Sequence, residues 1–595
     1  MFLKRWILAL TTVQACWDDA DGRFDKRMAD YYHRQRLHER AFPGSQVPDG
    51  SEVLRPLVWG DLNFIHVTDT HGWLTGHPTE EYSSGDWGDL VSFSEHMQAE
   101  ADAKGVDLVV IETGDRHEGD GLASATKVDG SLSQFVFAQA KFDVLSVGNH
   151  ELYKNEYALQ EYNTLRPFYG QAYLSSNVEY YINDTWVPAG NYYRVFTTKN
   201  LGKRILAFGF IFNFDKYDNG TRVVKVEDAV QRQWFKDALT KEDYDVVLVT
   251  GHNPVRGYAE FDAIVDAVRE INSTVPIQGF GGHTHVRDYR VFDSRAVALE
   301  SGKYLDTIGW ASVKFDSEGL NGTDISFTRR YIDFNPQNLA RHLNRSITTF
   351  TTDRGAAVSQ QIREYRKDLK LDKVLAQVPQ DYFLDYAPYP GPNSLVSLTE
   401  EQILPLLKGK HHHRPHLTIF GTNLLRYDLR KGNFIEDSKY MVDPYRTNWV
   451  YVKDVPVRIA SSLSDSLNKK KVAKRHVETS TIPTLGTAQS TYLPTVATAA
   501  PNISANYGYA TIDDFGSDGD DTRHQALPVY DFPPYITHAA NIDSSTTSVD
   551  VVFLEKNQKD ILKKLRKAGV NAEPEPYGGQ SIQDLFEKYF VDRHS

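Results

Sequence analysis

Five short apolar runs in the first half of the chain each end in a cluster of polar residues. The runs are rich in β-branched residues, have the length of one strand, and end in Gly together with Asp, Asn or His. They occupy residues 63–72, 106–115, 142–151, 244–254 and 276–285. Continuous apolar runs of this length are typical of strands buried in a sheet with both faces covered. Because the carboxyl ends of parallel strands meet at one edge, we predict that the polar clusters build one site.

Helical patterns lie between these runs, at 89–103, 130–140 and 226–239. Strands that alternate with helices predict a layered α/β domain. The stretch 191–212 indicates two paired strands joined by a turn at 200–203. A longer polar helical pattern at 352–378 predicts a helix that links two domains, and the Pro- and Gly-rich residues 379–394 end it.

The residues at the run ends are carboxylates, imidazoles and an amide, without a thiolate: Asp69, His71, Asp115, Asn149, His150, His252, His283 and His285. This set suits zinc, manganese or iron(II) and argues against a structural zinc held by cysteines. One such Asp or His alone would be read as a strand-end cap or a core histidine. Repetition at five strand ends favours metal. The number of ligands favours two ions that share a carboxylate, with Asp115 as the natural bridge, and such a pair can hold a hydroxide nucleophile and neutralise a phosphoryl group.

The order of these clusters carries a family resemblance. They read D-x-H, G-D, G-N-H-E, G-H and G-H-x-H, which resembles the calcineurin-like metallophosphoesterases. The sequence T-D-T-H-G and the chain length resemble the 5′-nucleotidase branch, and most of all its fungal secreted or vacuolar members. The resemblance is dense over residues 61–290. It implies an α/β fold with a four-layer sandwich, in which helices flank two mixed sheets, followed by an α/β C-terminal domain of the 5′-nucleotidase type.

Carried over position by position, the resemblance implies two divalent ions (zinc, manganese, iron or magnesium) and a role for each ligand. Asp69, His71 and His285 would hold the first ion, Asp115 would bridge, and Asn149, His252 and His283 would hold the second. His150 would stay off the metals, and would stabilise the transition state or protonate the leaving oxygen.

One position departs from the family pattern. The nucleotidases carry an aspartate three residues after the catalytic histidine to orient it, and this chain has Tyr153 there. We therefore expect His150 to lack a carboxylate partner, to have a lower pKa and a looser ring orientation, and to support reduced or altered activity. Every ligand position is present, so we expect the site itself to be kept.

Four further residues are candidates for substrate binding. Arg116 follows Asp115 and is placed either to approach phosphate or to be solvated. Asn177 matches a common asparagine of the nucleotidases, for which a structural role is favoured. In the C-terminal domain, Arg426 matches the family's ligand-binding arginine and Tyr445 its base-stacking aromatic.

The C-terminal motifs are incomplete, however. The family's Asn-Gly-Gly turn is replaced at 421–424, and its Gly-Gly-Asp loop resembles 513–521 only in part. We expect the fold to be kept, whereas Tyr445 fits a packed aromatic as well as a stacking one.

The predicted organisation has five parts: a signal peptide at 1–15, an N-terminal segment at 16–55, the catalytic domain at 56–335, a linking helix and loop at 336–395, and the C-terminal domain at 396–595 with a disordered insertion at 468–505. The signal peptide rests on a basic start, a short apolar core and small residues before Cys16. The insertion begins with lysines and continues with Thr, Ser, Ala and Pro, a composition typical of disorder.

Composition and charge limit the number of domains, the classes of partner and the cellular location of the protein. A chain of 595 residues predicts two domains, and its net charge of −13 gives no footprint for nucleic acid. The single cysteine, Cys16, excludes a disulfide within the chain. No later apolar run is long enough to span a bilayer. Six glycosylation sequons, at Asn183, Asn219, Asn272, Asn321, Asn344 and Asn502, give weak support for the secretory pathway, the vacuolar lumen or the extracellular space.

These observations predict a two-metal phosphoesterase that hydrolyses phosphomonoesters by attack of a metal-bridged water. Nucleoside 5′-monophosphates are the favoured substrates, and the sequence leaves the oligomeric state open. One alternative keeps the metals but has a non-nucleotide phosphomonoester or a phosphodiester as substrate, because the C-terminal motifs have diverged. The other alternative, motivated by Tyr153, is a metal-binding protein with weakened or lost catalysis.

Overall fold

The apolar runs form strands that are buried over their whole length, as expected for a sheet covered on both faces. All six positions of the first strand and all six of the second are buried. The computed structural model describes Gly50 and residues 53–316, 324–469, 511–515, 519–522 and 529–594. The predicted signal peptide, nearly all of the insertion at 468–505, and the sequons at Asn321 and Asn502 lie outside these residues.

The described chain forms two units. Unit 1 comprises the described parts of Met1–Glu118, Thr126–Asp368 and Ala505–Ala526, and unit 2 comprises those of Gly119–Ala125, Leu369–Ser504 and Leu527–Ser595. The strands, in chain order, are β1 Leu62–Val67, β2 Asp107–Glu112, β3 Val144–Ser146, β4 Tyr173–Leu174, β5 Val178–Ile182, β6 Thr185–Pro188, β7 Tyr193–Thr197, β8 Arg204–Ile211, β9 Thr221–Val223, β10 Val246–His252, β11 Ile277–Phe280, β12 Arg287–Asp293, β13 Ala296–Ser301, β14 Thr307–Asp316, β15 Asp324–Asp333, β16 Val374–Val378, β17 His416–Gly421, β18 Gly432–Ile435, β19 Trp449–Pro456, β20 Thr511–Asp513, β21 Tyr535–Ala540, β22 Ser548–Leu554 and β23 Glu575–Pro576.

The α-helices, in chain order, are α1 Trp87–Lys104, α2 Gly121–Ser124, α3 Ser133–Phe137, α4 Asn155–Asn163, α5 Leu165–Tyr169, α6 Val226–Ala229, α7 Gln233–Lys241, α8 Glu260–Ile271, α9 Pro336–His342, α10 Ile347–Phe350, α11 Asp353–Asp368, α12 Leu395–Leu398, α13 Glu436–Val442, α14 Val457–Asn468, α15 Gln558–Lys567 and α16 Ile582–His594. Helix α1 shows how local sequence sets the bounds. Asp86 caps its first turn in a capping box with Asp89, and Gly105 ends it in a left-handed conformation.

Two mixed sheets form the core of unit 1. One has the order β15-β14-β1-β2-β3-β4, with β1 to β4 parallel, and the other has the order β20-β12-β13-β11-β10-β8-β7. Apolar side chains from both, such as Phe64 and Leu248, form one buried cluster. The far face of the second sheet packs on α6, α7 and α8 through residues such as Phe235 and Ile264. This confirms the predicted sandwich of mixed sheets flanked by helices.

Unit 2 is a second α/β structure. Its main sheet has the order β21-β17-β22-β19-β23. Leu463 of α14 and Leu562 of α15 pack in one apolar cluster of this unit, and Phe586 of α16 packs in the other. Within the described residues, no helix of either unit combines the length and the apolar character needed to cross a bilayer.

Two segments differ from the prediction. The helix expected at 352–378 ends at Asp368, because Lys370 adopts a left-handed backbone with φ of 58° and Val374–Val378 becomes a strand paired with β18. The segment expected to form the Gly-Gly-Asp loop of the C-terminal domain also differs from the prediction. Its strand β20 pairs with β12, and Asp520 forms an ion pair with Arg287 at 2.9 Å, so the described part of 513–521 is a component of unit 1.

Candidate metal centre and active site

The predicted ligands lie on the loops that follow β1, β2, β3 and β11 and at the end of β10; we call these segments the ligand loops. Five ligands adopt a left-handed backbone: Asp69 (φ 50°), His71 (46°), Asp115 (61°), His283 (81°) and His285 (65°). Asp and His tolerate this region better than most residues, at a cost that proteins usually retain where function requires it. The left-handed turns give the loops tight bends directly after buried strands.

The ligand loops are joined through their backbones. The amide of Asp69 donates to the carbonyl of Gly114 at 3.0 Å, and the amide of His71 donates to the carbonyl of Asp115 at 2.8 Å. Gly148 is required for the approach of the β3 loop, because a Cβ there would lie 2.2 Å from Asp115 Oδ1. The glycine of G-N-H-E is therefore a steric requirement of the site.

Four predicted ligands form one group. Asp69, His71, Asp115 and His285 each offer a donor atom, and these atoms lie within 4.8 Å of one another. Nε2 of His285 is 3.1 Å from Asp69 Oδ1, and Nε2 of His71 is 3.3 Å from Nε2 of His285. Such a convergence of carboxylate and imidazole donors fits one divalent cation.

A second group shares Asp115 with the first. Donor atoms of Asp115, His252 and His283 lie within the same 4.8 Å limit, and His252 Nε2 is 3.0 Å from Asp115 Oδ2. The buried Oδ1 of Asn149 has no hydrogen-bond partner among the described residues, which is the state of an oxygen available to a cation. The donor set therefore fits two ions with Asp115 between them.

Hydrogen bonds fix which ring nitrogen each histidine presents. Nδ1 of His71 lies 2.7 Å from the carbonyl of His117, and Nδ1 of His252 lies 2.8 Å from the carbonyl of Thr113. A carbonyl can only accept, so Nδ1 carries the proton in both rings. The lone pair is then on Nε2, as metal ligation requires.

The site is also strongly anionic. Burial lowers the pKa of His252, but the carboxylates of Asp115 and Asp69 outweigh it and raise this pKa to about 10. Burial opposes ionisation of Asp69 in the same way, yet His252 and His285 hold its pKa well below the ordinary value. Carboxylates that stabilise an imidazolium to this extent also attract a cation, which would displace the proton on binding.

His150 has the carboxylate partner that the sequence argument denied it. Its Nδ1 lies 2.8 Å from Glu118 Oε2, and its Nε2 lies 3.8 Å from Asp115 Oδ2. The expectation that His150 lacks a carboxylate partner was wrong, because Glu118 in the loop after β2 supplies one. The reduced or altered activity stays a prediction. The signal in the sequence was Glu118 itself, an acid four residues after Gly114 in the loop that carries Asp115.

Tyr153 instead contacts a metal-ligand candidate. Its hydroxyl accepts a hydrogen bond from Asn149 Nδ2 at 3.2 Å, which leaves Asn149 Oδ1 for a cation. Its ring meets the His150 ring edge-on, with centroids 4.8 Å apart.

Arg116 is turned away from the ligand cluster. Its guanidinium pairs with Glu112 at 2.5 Å and Glu161 at 2.9 Å and donates to the carbonyl of Ser146. It is 5 % exposed, so its charge serves to neutralise buried acids. Glu112 at the end of an apolar strand was the signal, since a buried acid requires a partner.

Glu151 is a functional-site residue that the sequence argument did not assign. Its carboxylate accepts hydrogen bonds from the amides of Asp115 (2.9 Å), Arg116 (2.7 Å) and Gly148 (2.7 Å). It also contacts His117 Nδ1 at 2.8 Å. One carboxylate therefore holds the β2 and β3 loops together.

The other substrate candidates lie in different surroundings. The Asn177 side chain hydrogen-bonds to main-chain groups: Nδ2 donates to the carbonyls of Ile211 and Val224 at 2.8 and 2.9 Å, and Oδ1 accepts from the amide of Ile211. This supports the structural role. In unit 2, the Arg426 guanidinium lies 5.9 Å from the Tyr445 ring centroid, and Lys556 Nζ lies 3.2 Å from the same centroid.

Comparisons with known proteins agree with this geometry. Residues 62–287 match the family model described as calcineurin-like phosphoesterase, and residues 381–562 match that of the NAD nucleotidase C-terminal domain. The crystal structure of a 5′-nucleotidase from Candida albicans is 36 % identical, with a TM-score of 0.83, and the alignment covers 91 % of this chain and 100 % of that one. The chain belongs to the 5′-nucleotidase branch of the calcineurin-like phosphoesterases.

Fungal relatives extend the match over nearly the whole chain. A protein of Arthroderma benhamiae named "Secreted protein" is 33 % identical over 95 % of this chain and 93 % of its own. An uncharacterized protein of Schizosaccharomyces pombe is 35 % identical over 87 % of each chain. This phosphoesterase is a metal-dependent phosphoric ester hydrolase, and members of its family use dinuclear metal centres.

Proposed function

We propose that the protein hydrolyses phosphomonoesters at a pair of divalent ions, with nucleoside 5′-monophosphates as its principal substrates. The observation that carries this proposal is the convergence of six ligand candidates on one largely buried cluster in which Asp115 belongs to both donor groups. The match to a Candida albicans 5′-nucleotidase over nearly all of both chains supports the substrate class.

Each ion would have its own residues. Asp69, His71 and His285 would hold one, Asn149, His252 and His283 the other, and Asp115 both. When bound, the ions supply Lewis-acid stabilisation of the phosphoryl oxygens and an activated water. The chain's own contribution is to orient these donors, exclude bulk water, and hold the Nε2 of His150 toward the centre. From there Nε2 donates a proton to the leaving oxygen as its bond to phosphorus breaks and the oxygen keeps the electron pair.

Unit 2 supplies the residues proposed for nucleotide binding. Arg426 would contact phosphate or ribose oxygens, and the Tyr445 ring would stack on the base. Their proximity, with 5.9 Å between guanidinium and ring centroid, is consistent with one binding region.

A non-nucleotide substrate is the second candidate, and the Tyr445 environment favours it. The ring is 7 % exposed, and the Lys556 ammonium lies over it at 3.2 Å. A base that stacked on this face would have to displace Lys556. The third hypothesis, a metal-binding protein without catalysis, was based on a His150 without a carboxylate partner. The Glu118 carboxylate beside that ring removes this basis.

We further propose that the protein works in the secretory pathway, in the vacuolar lumen or outside the cell. The Arthroderma relative named as secreted supports this. Three sequon asparagines, Asn183, Asn219 and Asn344, are exposed, and Asn183 and Asn344 adopt the left-handed backbone of turns. Exposed turns are accessible to glycosylation.

The test is a substrate panel on the purified full-length protein loaded with manganese or zinc. AMP, p-nitrophenyl phosphate and bis(p-nitrophenyl) phosphate separate nucleotide, general monoester and diester hydrolysis. We expect chelator-sensitive release of phosphate from AMP. Cleavage of p-nitrophenyl phosphate without cleavage of any nucleoside monophosphate would overturn the nucleotidase assignment and favour the second candidate.

A further inference from the structure

Three groups of the β2 loop, residues 115–118, contribute to the site. The Asp115 carboxylate belongs to both donor groups, and the carbonyl of His117 fixes His71. The third group is the Glu118 carboxylate, whose Oε2 lies 2.8 Å from Nδ1 of His150. Glu118 is 2 % exposed and has a left-handed backbone with φ of 61°, so the chain accepts strain to present it.

We propose that Glu118 is the positioning residue of His150. This carboxylate comes from the loop after β2 and not from the position three residues after the histidine, where this chain has Tyr153. The inference rests on the proposed function of His150 and concerns how its ring is held.

The geometry supplies the reason. A carboxylate 2.8 Å from Nδ1 favours the ring orientation in which Nδ1 faces it. In that orientation Nε2 faces the centre, 3.8 Å from Asp115 Oδ2. Loss of the carboxylate would leave the ring to rotate, and misplacement by about 1 Å at a reacting centre can cost on the order of 100-fold in rate.

The two loops hold each other reciprocally, which makes the Glu118 contact a fixed one. Glu151 of the β3 loop accepts the amides of Asp115 and Arg116 in the β2 loop. In return, Asp115 Oδ1 accepts the amide of His150 at 2.8 Å. The backbone amide of Glu118 donates to Asp129 Oδ1 at 3.1 Å, which anchors the end of the β2 loop.

Tyr153 contacts both Asn149 and His150. Its hydroxyl is engaged with Asn149 Nδ2, and its ring contacts the His150 ring edge-on. Tyr153 therefore supports a metal-ligand candidate, and the carboxylate for His150 comes from Glu118.

The test compares Glu118→Ala, the isosteric Glu118→Gln, His150→Gln and the double variant Glu118→Ala/His150→Gln, all metal-loaded and assayed on AMP. We expect Glu118→Ala to lower kcat by about 10- to 100-fold with KM and metal content nearly unchanged. Glu118→Gln keeps an acceptor oxygen and should lose less. In the His150→Gln background, the Glu118→Ala change should have almost no further effect, because the two residues act as one unit.

A purely structural role predicts a different pattern. Equal fold losses from Glu118→Ala in the presence and absence of His150 would overturn the proposal, as would parallel loss of metal. The matched control is Glu156→Ala, at an exposed glutamate of α4, which should behave as wild type.

A crystal structure of Glu118→Ala, or of Glu118→Gln should the alanine variant not fold, gives a second readout that is independent of activity. We expect the His150 ring to leave its position or to show two orientations. An unchanged ring would refute the positioning role. Failure of the wild-type protein to hydrolyse any phosphomonoester would instead refute the proposed function, and the ring orientation would still decide the role of Glu118.

Discussion

The ligand loops of unit 1 and the Tyr445 region of unit 2, which comprises Arg426, Tyr445 and Lys556, are held in different ways. In the ligand loops, main-chain hydrogen bonds, left-handed turns and the Glu151 carboxylate fix the backbone, so the ligand side chains have little freedom. In the Tyr445 region, the guanidinium of Arg426 and the ammonium of Lys556 lie 5.9 and 3.2 Å from the Tyr445 ring centroid, and both belong to long side chains. On the proposed function, the backbone would fix the metal ligands, whereas substrate choice would depend on side chains that can exchange partners.

The first prediction would break this comparison at its strongest point. Asp115→Asn keeps the shape of the side chain but removes charge from the residue common to both donor groups. We expect kcat to fall by about 1,000-fold or more, equivalent to several kcal/mol, with loss of bound metal. Phosphatase assays with elemental analysis provide the measurement. Asp237→Asn on α7 is the control, and retention of more than about a tenth of the activity in Asp115→Asn would contradict the account.

The second prediction concerns the buried support of the ligand loops. Burial lowers the pKa of His117, but the hydrogen bond and charge of Glu151 outweigh it and raise this pKa from 6.5 to about 9. A folded-state pKa above the unfolded value gives stability that is fully present below pH 6.5 and is lost as pH rises through 9. The shift corresponds to about 3 kcal/mol at most.

We therefore expect His117→Gln to lower the thermal midpoint more at pH 6 than at pH 9.5. Scanning calorimetry at the two pH values checks this, with the exposed His413→Gln as control. If the fall in thermal midpoint caused by His117→Gln is equal at the two pH values, or is larger at pH 9.5, the contact with Glu151 does not provide the stabilisation.

The third prediction sharpens the comparison from the side of unit 2. If Tyr445 stacks on the base, Tyr445→Ala should lower kcat/KM for AMP by about tenfold or more and leave p-nitrophenyl phosphate hydrolysis unchanged, since stacking is worth about 1–3 kcal/mol. Equal effects on both substrates, or no effect on either, would indicate a packed aromatic and favour a non-nucleotide substrate.

The smallest effect is expected at Lys556. Its ammonium covers the Tyr445 ring at 3.2 Å, and a base must displace it from that face. Lys556→Met should therefore improve KM for AMP by about two- to fivefold, which corresponds to an exposed cation–π contact. Lys559→Met on the adjoining helix α15 is the matched control. A weaker affinity in Lys556→Met would instead identify Lys556 as a substrate contact.

The sequence predicted the sheet architecture and the convergence of the ligand candidates because each strand carries its candidates at its own carboxyl end. A local pattern of that kind needs no knowledge of long-range pairing. The Glu118–His150 contact, by contrast, joins two loops, and the sequence near His150 shows only the departure at Tyr153. The return of β20 to a sheet of unit 1 is a pairing between residues more than two hundred positions apart, which no local periodicity encodes.

Arg116 illustrates the same limit within four residues. Its place beside Asp115 suggested a phosphate contact. The guanidinium pairs with Glu112 and Glu161 instead, because an unpaired buried carboxylate is costly in free energy. The helix predicted to Val378 ends at Asp368 because Lys370 takes a left-handed backbone, and Val374–Val378 then pairs with β18, a strand more than fifty positions away.

The most direct test of the central claim is anomalous diffraction from crystals of the metal-loaded full-length protein. The account predicts two peaks at the ligand loops, each about 2.0–2.2 Å from a carboxylate oxygen of Asp115. No peak at the ligand loops, or peaks out of reach of Asp115, would contradict it.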